Sequence, residues 1–384
     1  MKRILTFAAY FYPHIGGYEK NVHELSRRLV QRGCEVDIVT CNTEHSPACE
    51  ELNGIHIYRL PAWNTLKSTY PIPRPCLTSF RILRNLLRKD YDVINTQTRF
   101  FITSLLGLVF ATVKRTPLVH TERGTRHSVV SNKVVDLISR AYDHSIGALI
   151  VKSARGNIGI SEAACEFLNH LGATNVKLVH NGIDTTIFKK KEDANCRQKL
   201  GISNDVVVIT SVGRLIYAKG VQDLISAFTR IKEASPNTKL LIVGDGPYRA
   251  NLENLAYQNS CGSDILFLGQ KDQAELIDIL SATDIFVNPS YSEGLPTSVM
   301  EAASVGLPII ATDVGGTGEI IANHETGMLV KTGDTGQLEQ KLRELLTNTE
   351  LRTVLGLNAR TSVNRKFAWD KITQDWIETV ERSE

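Results

Sequence analysis

The sequence predicts an α/β chain of two doubly wound blocks, each a parallel sheet with helices on both faces. Two observations carry this expectation. The chain has 384 residues, and at roughly 100–200 residues per domain two domains are the natural outcome. Short β-branched runs alternate with amphipathic helical windows, and the series starts afresh near residue 205. Such alternation implies parallel strands joined by helical crossovers.

Taken in order, Ile4–Phe7 reads as the first strand. Lys2 and Arg3 before an apolar run resemble the start of a secretory leader. The run ends in Tyr10-Phe11-Tyr12-Pro13 and then Gly16-Gly17, not in a small-residue cleavage site. A buried strand entering a glycine loop is therefore expected. Lys20–Arg32 predicts a helix with Val22, Leu25, Leu29 and Val30 on one face, closed by Gly33, and Val36–Thr40 predicts the next strand. Val93–Asn95, Leu118–His120, Ala148–Val151, Ile158–Ile160 and Lys177–Val179 continue the strands. The apolar stretch Phe100–Val113 falls short of the ~20 residues of a membrane span and reads as a buried helix. In the second series, strands are expected at Val206–Val212, Lys239–Val243, Ile265–Leu268, Ile285–Asn288, Ile309–Ala311 and Gly327–Leu329, with a helix over Val221–Ile231. The boundary is placed in Lys189–Arg197, where charged residues crowd together.

A net charge of +3 is too small to argue for a nucleic-acid partner. The seven cysteines are odd in number and show no CxxC spacing. That fits unpaired thiols in a reducing compartment and offers no zinc site.

Ligands of open parallel sheets bind beyond the carboxyl ends of the strands, so residues just after strands are the candidates. Foremost is Asn288-Pro289-Ser290-Tyr291-Ser292-Glu293-Gly294-Leu295-Pro296-Thr297-Ser298-Val299-Met300-Glu301-Ala302, which follows a strand and opens a helix. Pro296 suits the first helical turn, and the N–H groups of Thr297 and Ser298 at the helix start form an anion site. Glu293 and Glu301 are eight residues apart, about 12 Å of rise on a continuous helix. Paired glycosidase carboxylates sit only ~5–9.5 Å apart. The two glutamates are better suited to gripping opposite ends of one extended ligand, with sugar hydroxyls at one end, ribose hydroxyls at the other and a diphosphate between.

Gly213-Arg214-Leu215-Ile216-Tyr217-Ala218-Lys219-Gly220 also lies between a strand and a helix. Arg214 can fork across two phosphate oxygens and Lys219 adds a point charge, which stabilises a leaving diphosphate without a metal. Pro13-His14-Ile15-Gly16-Gly17 lets backbone approach a phosphate or sugar. Val243-Gly244-Asp245-Gly246-Pro247 is not a dinucleotide fingerprint, because Arg249 stands where the third glycine belongs. A turn lining a nucleotide pocket is expected there instead. Asp90-Tyr91-Asp92 spells a DxD metal motif but precedes its strand, at the wrong end for a ligand. His120, expected at the end of its strand, can reach a sugar hydroxyl.

Together these residues resemble the family-4 retaining glycosyltransferases of the GT-B fold. The resemblance runs over Tyr12-Pro13, Gly16-Gly17, Gly33, His120, Asn181-Gly182-Ile183-Asp184, Gly213-Arg214, Lys219-Gly220, Val243-Gly244-Asp245-Gly246-Pro247, Leu268-Gly269 and Glu293 with Glu301. It implies two facing Rossmann-like domains with a deep interdomain cleft. It also implies that the tail Phe367-Ala368-Trp369 to Trp376-Ile377 crosses back to the first domain. The domains are then 1–190 plus 366–384, for the acceptor, and 191–365, for the donor.

The resemblance assigns Arg214 and Lys219 to the donor diphosphate and Glu301 to the ribose. Glu293 and the Leu295 N–H fall beside the donor sugar, and the Thr297 and Ser298 N–H groups cap the phosphate. Gly16, Gly17 and His120 reach the donor from the first domain, Gly246 lines the pocket, and Gln270 and Lys271 frame the base. Some relatives carry glycine where this chain has Pro296, so the donor sugar is not copied across. The implied chemistry is metal-independent, front-face transfer with retention, by Glu293, His120, Arg214 and Lys219. The donor would be a nucleotide-sugar, with UDP favoured over GDP, carrying a hexose or N-acetylhexosamine. The expected partner is a glycan or lipid-linked acceptor, with no cofactor and no nucleic acid.

Phe80-Arg81-Ile82-Leu83-Arg84-Asn85-Leu86-Leu87-Arg88-Lys89 is basic and amphipathic, with Phe80, Leu83, Leu86 and Leu87 sharing a face. Such a segment suits an anionic membrane surface, so a cytoplasmic protein in peripheral membrane contact through 80–89 is expected. Two other readings stay open: a nucleotide-sugar epimerase of the same fold, which releases free sugar, and a non-catalytic binding subunit, whose mark would be a lost glutamate or diphosphate cation.

Overall fold

The protein was analysed as a computed structural model that describes residues 2–14, 16–65, 70–127, 133–191, 195–259 and 261–383. Ile15 of the first glycine motif and part of the 189–197 stretch lie outside the described residues. The chain divides into two compact units, Met1–Gly182 with Trp369–Glu384, and Ile183–Ala368.

The first unit carries β1 (Arg3–Phe7), β2 (Glu35–Asn42), β3 (Cys49–Leu52), β4 (Ile55–Thr65), β5 (Tyr70–Pro73), β6 (Val93–Gln97), β7 (Leu118–Glu122), β8 (Gly156–Gly159) and β9 (Val176–Leu178). Their order is β3-β4-β2-β1-β6-β7-β8-β9, with β5 paired to β4. Pairing is parallel except for β3 and β5, which run antiparallel to β4. The sequence reading missed these three strands, although Ile55 and Ile57 alternate with exposed His56 as a half-buried strand should.

Ala148–Val151, expected as a strand, is instead the start of a helix, Ala148–Ser153, entered from a π-helical turn over Asp143–Gly147. Ile150 and Val151 are both fully buried while Leu149 faces solvent. Two adjacent buried residues beside an exposed one suit a helix packed on the sheet, and a four-residue apolar run cannot separate the two states by period alone. The helix expected over 100–113 spans Ile102–Lys114. It is buried on one face only, since Val109 and Val113 are exposed.

The helix Trp369–Glu381 returns to the first unit. Its Trp369, Ile372, Trp376 and Val380 share one core with Ile4, Val36 and Ile38 of the sheet and with Val22, Leu25 and Leu29 of the helix Gly17–Gln31. The Arg28 guanidinium lies 5.2 Å from the Trp369 ring centre. Gly182 is packed so closely on Trp369 that a Cβ there would come within 2.3 Å of the ring.

The second unit carries β10 (Val207–Val212), β11 (Thr238–Val243), β12 (Ile265–Gly269), β13 (Ile285–Asn288), β14 (Ile309–Thr312) and β15 (Met328–Val330). The order is β12-β11-β10-β13-β14-β15, parallel throughout. Ile209, Leu240, Ile242 and Ile285 are buried against Val221, Leu224, Ile225 and Phe228 of the helix Val221–Lys232. Among the described residues, no helix is long and apolar enough to cross a membrane.

Strand order decides where a ligand belongs. From β10 the second sheet grows outward through β11 to β12, then returns to the other side of β10 with β13. The first sheet reverses between β1 and β6 in the same way. Connections diverge at such switch points and leave a crevice outside the carboxyl ends of the two strands.

Candidate active site

In the second unit the switch point lies between β10 and β13. Arg214 and Lys219 follow β10, and Glu293 follows β13. The fold thus brings together three of the four residues expected to carry the chemistry. Lys219 Nζ donates to both oxygens of Glu293, at 2.7 and 2.8 Å. Ser290 Oγ donates to Glu293 Oε1 at 2.6 Å, and Asn288 Nδ2 reaches it at 3.4 Å. The Glu293 side chain is only 8% exposed and that of Lys219 27%. Charge-assisted bonds of this length are the strong ones. They hold the carboxylate and the ammonium in one fixed arrangement. Arg214 is exposed on the same loop, next to Gly213, where a Cβ would lie 3.9 Å from the Lys219 side chain.

The loops that carry these groups are locked by backbone contacts. Gly220 has φ +65°, and a Cβ on it would lie 1.9 Å from the Pro289 carbonyl oxygen. Gly315 has φ +55°, and a Cβ there would meet the Glu293 carbonyl oxygen at 1.9 Å. Only glycine fits such approaches. Tyr291 N–H donates to Ala218 O at 2.8 Å and Gly316 N–H to Gly294 O at 2.9 Å. The Tyr291 hydroxyl donates to Asp223 at 2.8 Å. Burial, then this neighbouring carboxylate, push the Tyr291 hydroxyl above its ordinary range.

The helix Thr297–Val305 starts one residue later than expected, because Pro296 has extended backbone and forms the cap. Thr297 and Ser298 are its first two residues, whose N–H groups have no acceptor within a helix. Glu293 lies on the loop before the helix and Glu301 inside it, buried. The rise of a continuous helix therefore does not measure their separation. Leu295 is buried between them. Gly246 N–H donates to its neighbour Asp245, and the loop is fixed to the β10 loop by Leu215 N–H donating to Asp245 O. Gln270 follows β12 and is exposed. Lys271 is engaged by Glu275 at 2.8 Å in the next helix.

In the first unit Gly16 caps the helix Gly17–Gln31 at the β1 side of the switch point. His14 Nδ1 meets Glu19 at 2.9 Å beneath it. His120 was expected to end its strand, but β7 continues to Glu122. The ring is fully buried, with Nδ1 2.9 Å from Thr96 Oγ1 and Nε2 3.3 Å from Glu122. The cause is its place inside the sheet between β6 and β8.

Sequence reasoning missed the charge network around Glu122. Arg99 Nη1 approaches Glu122 at 3.0 Å and donates through Nε to Asp143 at 3.0 Å; all three are buried. Gly124 N–H and Arg123 N–H also donate to Glu122. Burial pushes the Glu122 carboxyl up, but the Arg99 charge, His120 and the Gly124 amide outweigh it and hold the carboxyl well below the usual range. Arg123 reaches Asn181 at 2.9 Å and Asn21 at 3.2 Å, which ties the Asn-Gly-Ile-Asp segment to the end of β7. The run Thr121-Glu122-Arg123-Gly124 was visible after a strand, but its burial was not.

The DxD spelling serves structure. Asp90 pairs with Lys114, Tyr91 donates to Asp37, and Asp92 accepts from the Arg3 N–H.

Residues 15–187 match the model of Glycosyltransferase Family 4, and residues 192–362 that of Glycosyl transferases group 1. An uncharacterized glycosyltransferase of Methanocaldococcus jannaschii is 29% identical over 99% of this chain and 98% of its own length. The N-acetyl-alpha-D-glucosaminyl L-malate synthase of Bacillus anthracis is 25% identical over 96% of this chain and 94% of its own length. Among solved structures, sucrose-phosphate synthase from Thermosynechococcus elongatus superposes with a TM-score of 0.83 at 25% identity, covering 98% of both chains. Anabaena HepE in complex with UDP and glucose gives 0.80 at 19% identity over 99% of this chain and 100% of its own. The chain belongs to the group 1, family 4 glycosyltransferases of the GT-B fold, and it is a transferase.

Proposed function

We propose that this transferase moves a hexose or N-acetylhexosamine from a nucleotide-sugar to an acceptor hydroxyl, with retention and without a metal at the donor. The observation that carries this reading is the Lys219–Glu293 pair at the second unit's switch point, with Arg214 exposed on the loop that carries Lys219. An ammonium has three donors. Two are directed to Glu293, and a third can meet a diphosphate oxygen while Arg214 forks across others. The start of the helix Thr297–Val305 adds N–H groups and the positive end of its dipole. Glu301 would hold the ribose, and Gln270 with Lys271 would frame the base. A uracil base is favoured by the HepE complex with UDP, with guanine the alternative. The Bacillus relative is named for an N-acetyl-alpha-D-glucosaminyl product.

In the reaction the bond from the anomeric carbon to the diphosphate oxygen breaks and a bond to the acceptor oxygen forms on the same face. The acceptor proton passes to the departing phosphate oxygen. Arg214 and Lys219 stabilise the charge that develops there. His120 takes a positioning role in this scheme, since both of its ring nitrogens are already engaged.

The acceptor, a glycan or lipid-linked glycan, is assigned to the first unit. Tyr10, Tyr18, Tyr70, Phe100 and Phe101 form an aromatic cluster beyond β1 and β6 that suits a sugar face or an apolar chain. Membrane contact is proposed through the helix Leu77–Leu87. Its Ile82 and Leu86 are buried while Leu77 and Phe80 are exposed among Arg81, Arg84 and Arg88. Phe80 is therefore separated by exposure from Leu86, with which it was expected to share one apolar face.

The test is a proton NMR time course with UDP-glucose and UDP-N-acetylglucosamine, glycan and lipid-linked acceptors, and EDTA. Retained configuration with undiminished rate supports the proposal. An inverted product, or a rate that needs added magnesium or manganese, overturns it.

A further inference from the structure

We propose that His127, His144 and His170 form a binding site for a zinc-type divalent metal ion on the first unit, with Asp143 orienting His127. The three side chains come from distant points in the sequence. His127 lies in the bend after β7, His144 in the π-helical turn Asp143–Gly147, and His170 ends the helix Glu162–His170. One ring nitrogen from each lies within 4.8 Å of the other two.

The ring arrangement fits one ion. Three imidazoles bound to a tetrahedral metal at ~2.0–2.1 Å place their ring centres about 5.2 Å apart. Here the centres are 5.1 Å apart for His127 and His144, 5.4 Å for His144 and His170, and 5.7 Å for His127 and His170. His144 and His170 are exposed, so their rings can turn by the small amount that closes the nitrogens on a metal.

His127 is prepared for ligation. Its Nδ1 lies 2.7 Å from Asp143 Oδ2, which leaves Nε2 as the ligand atom. A carboxylate on the far nitrogen of a metal-bound histidine fixes the tautomer and raises its basicity. Asp143 is fully buried and held in turn by Arg99 through Nε and Nη2, each at 3.0 Å. Phe167 forms a wall, edge-on to His127 at 5.1 Å and stacked on His170 at 6.0 Å.

Three imidazoles select zinc, cobalt, nickel or copper over magnesium or calcium, which want oxygen. A site of three protein ligands keeps a fourth position for water or an anionic oxygen. All the residues belong to the first unit, whereas Lys219 and Glu293 of the proposed diphosphate grip belong to the second.

The experiment is a Co²⁺ titration of the tag-free full chain after EDTA stripping and dialysis, followed by visible absorbance and then by Zn²⁺ displacement. The expected result is saturation at one equivalent, with d–d bands of four- or five-coordinate cobalt that vanish on adding Zn²⁺. His144→Ala and His170→Ala change exposed residues, so both should keep the wild-type circular dichroism melt yet bind Co²⁺ at least about tenfold more weakly. His324→Ala, an exposed histidine of the second unit, should leave the titration unchanged. No saturable one-equivalent binding of either ion, or binding unaltered in His144→Ala and His170→Ala, would overturn the proposal.

Discussion

Lys219→Met separates two things Lys219 can do: hold Glu293 and hold the donor. The variant keeps the unbranched stem, one atom shorter, and removes the charge. It deletes two bonds to the Glu293 carboxylate, at 2.7 and 2.8 Å, and leaves it Ser290 and Asn288. Removing one partner of a fully buried pair costs about 3–5 kcal/mol. Lys219 is 27% exposed, and solvent screening brings the stability loss down to about 1–2 kcal/mol. A hydrogen bond to a charged group contributes about 1.5–3 kcal/mol, so UDP affinity should fall roughly 10- to 150-fold. Loss of one preorganised donor to the leaving group should lower kcat by about 10²–10³. Glu293→Gln keeps the ammonium. It should leave the UDP dissociation constant within about threefold while kcat/KM falls about 10²-fold, since Glu293 is assigned to the sugar and not to the diphosphate. The assays are calorimetric titration with UDP and initial rates with the UDP-sugar. Equal loss of UDP affinity in both variants, or none in Lys219→Met, would refute the separate roles.

Three further outcomes are expected. Burial pushes the Glu24 carboxyl up, but the His23 hydrogen bond and the nearby Arg27 and Arg28 bring it down to about 2, and Glu122 is lowered too. Both folded values lie below the unfolded ones, so their stabilisation is complete above about pH 4.5 and is lost as pH falls toward 2; acid unfolding should be shallower in Glu24→Gln, and an unchanged profile contradicts this. Trp369→Ala removes a buried ring from the first unit's core and should cost about 3–5 kcal/mol, read as a lower melting temperature by circular dichroism; a shift of a degree or less would mean that the C-terminal helix does not anchor that unit. The chain should sediment with anionic vesicles at low salt and Phe80→Ser should weaken this severalfold, because Phe80 is 65% exposed beside Arg81 and Arg84; equal sedimentation of both proteins removes Phe80 from the contact.

The second unit was largely legible in the sequence because its strands are short apolar runs, and all but β13 have a glycine at their end or within three residues of it. Arg214, Lys219 and Glu293 could be picked as residues after strands. That Lys219 and Glu293 touch could not, because it depends on β13 returning beside β10, which is a fact of strand order. His120 was misplaced by two residues of strand, since Thr121 and Glu122 read equally well as loop. The Arg99–Glu122–Asp143 network and the three histidines, of which His127 meets Asp143, draw on residues far apart in the chain. No local period signals such a cluster, and the cysteine spacing that argued against zinc was silent about histidine.

The diphosphate grip is tested by calorimetric titration of UDP, GDP and ADP into the wild-type chain and Arg214→Ala, each in EDTA. One nucleoside diphosphate, UDP first, should bind at one site per chain in EDTA, and Arg214→Ala should weaken it at least about tenfold, or 1.4 kcal/mol. Binding that disappears in EDTA, or that is unchanged in Arg214→Ala, would contradict a metal-independent diphosphate grip at the second unit's switch point.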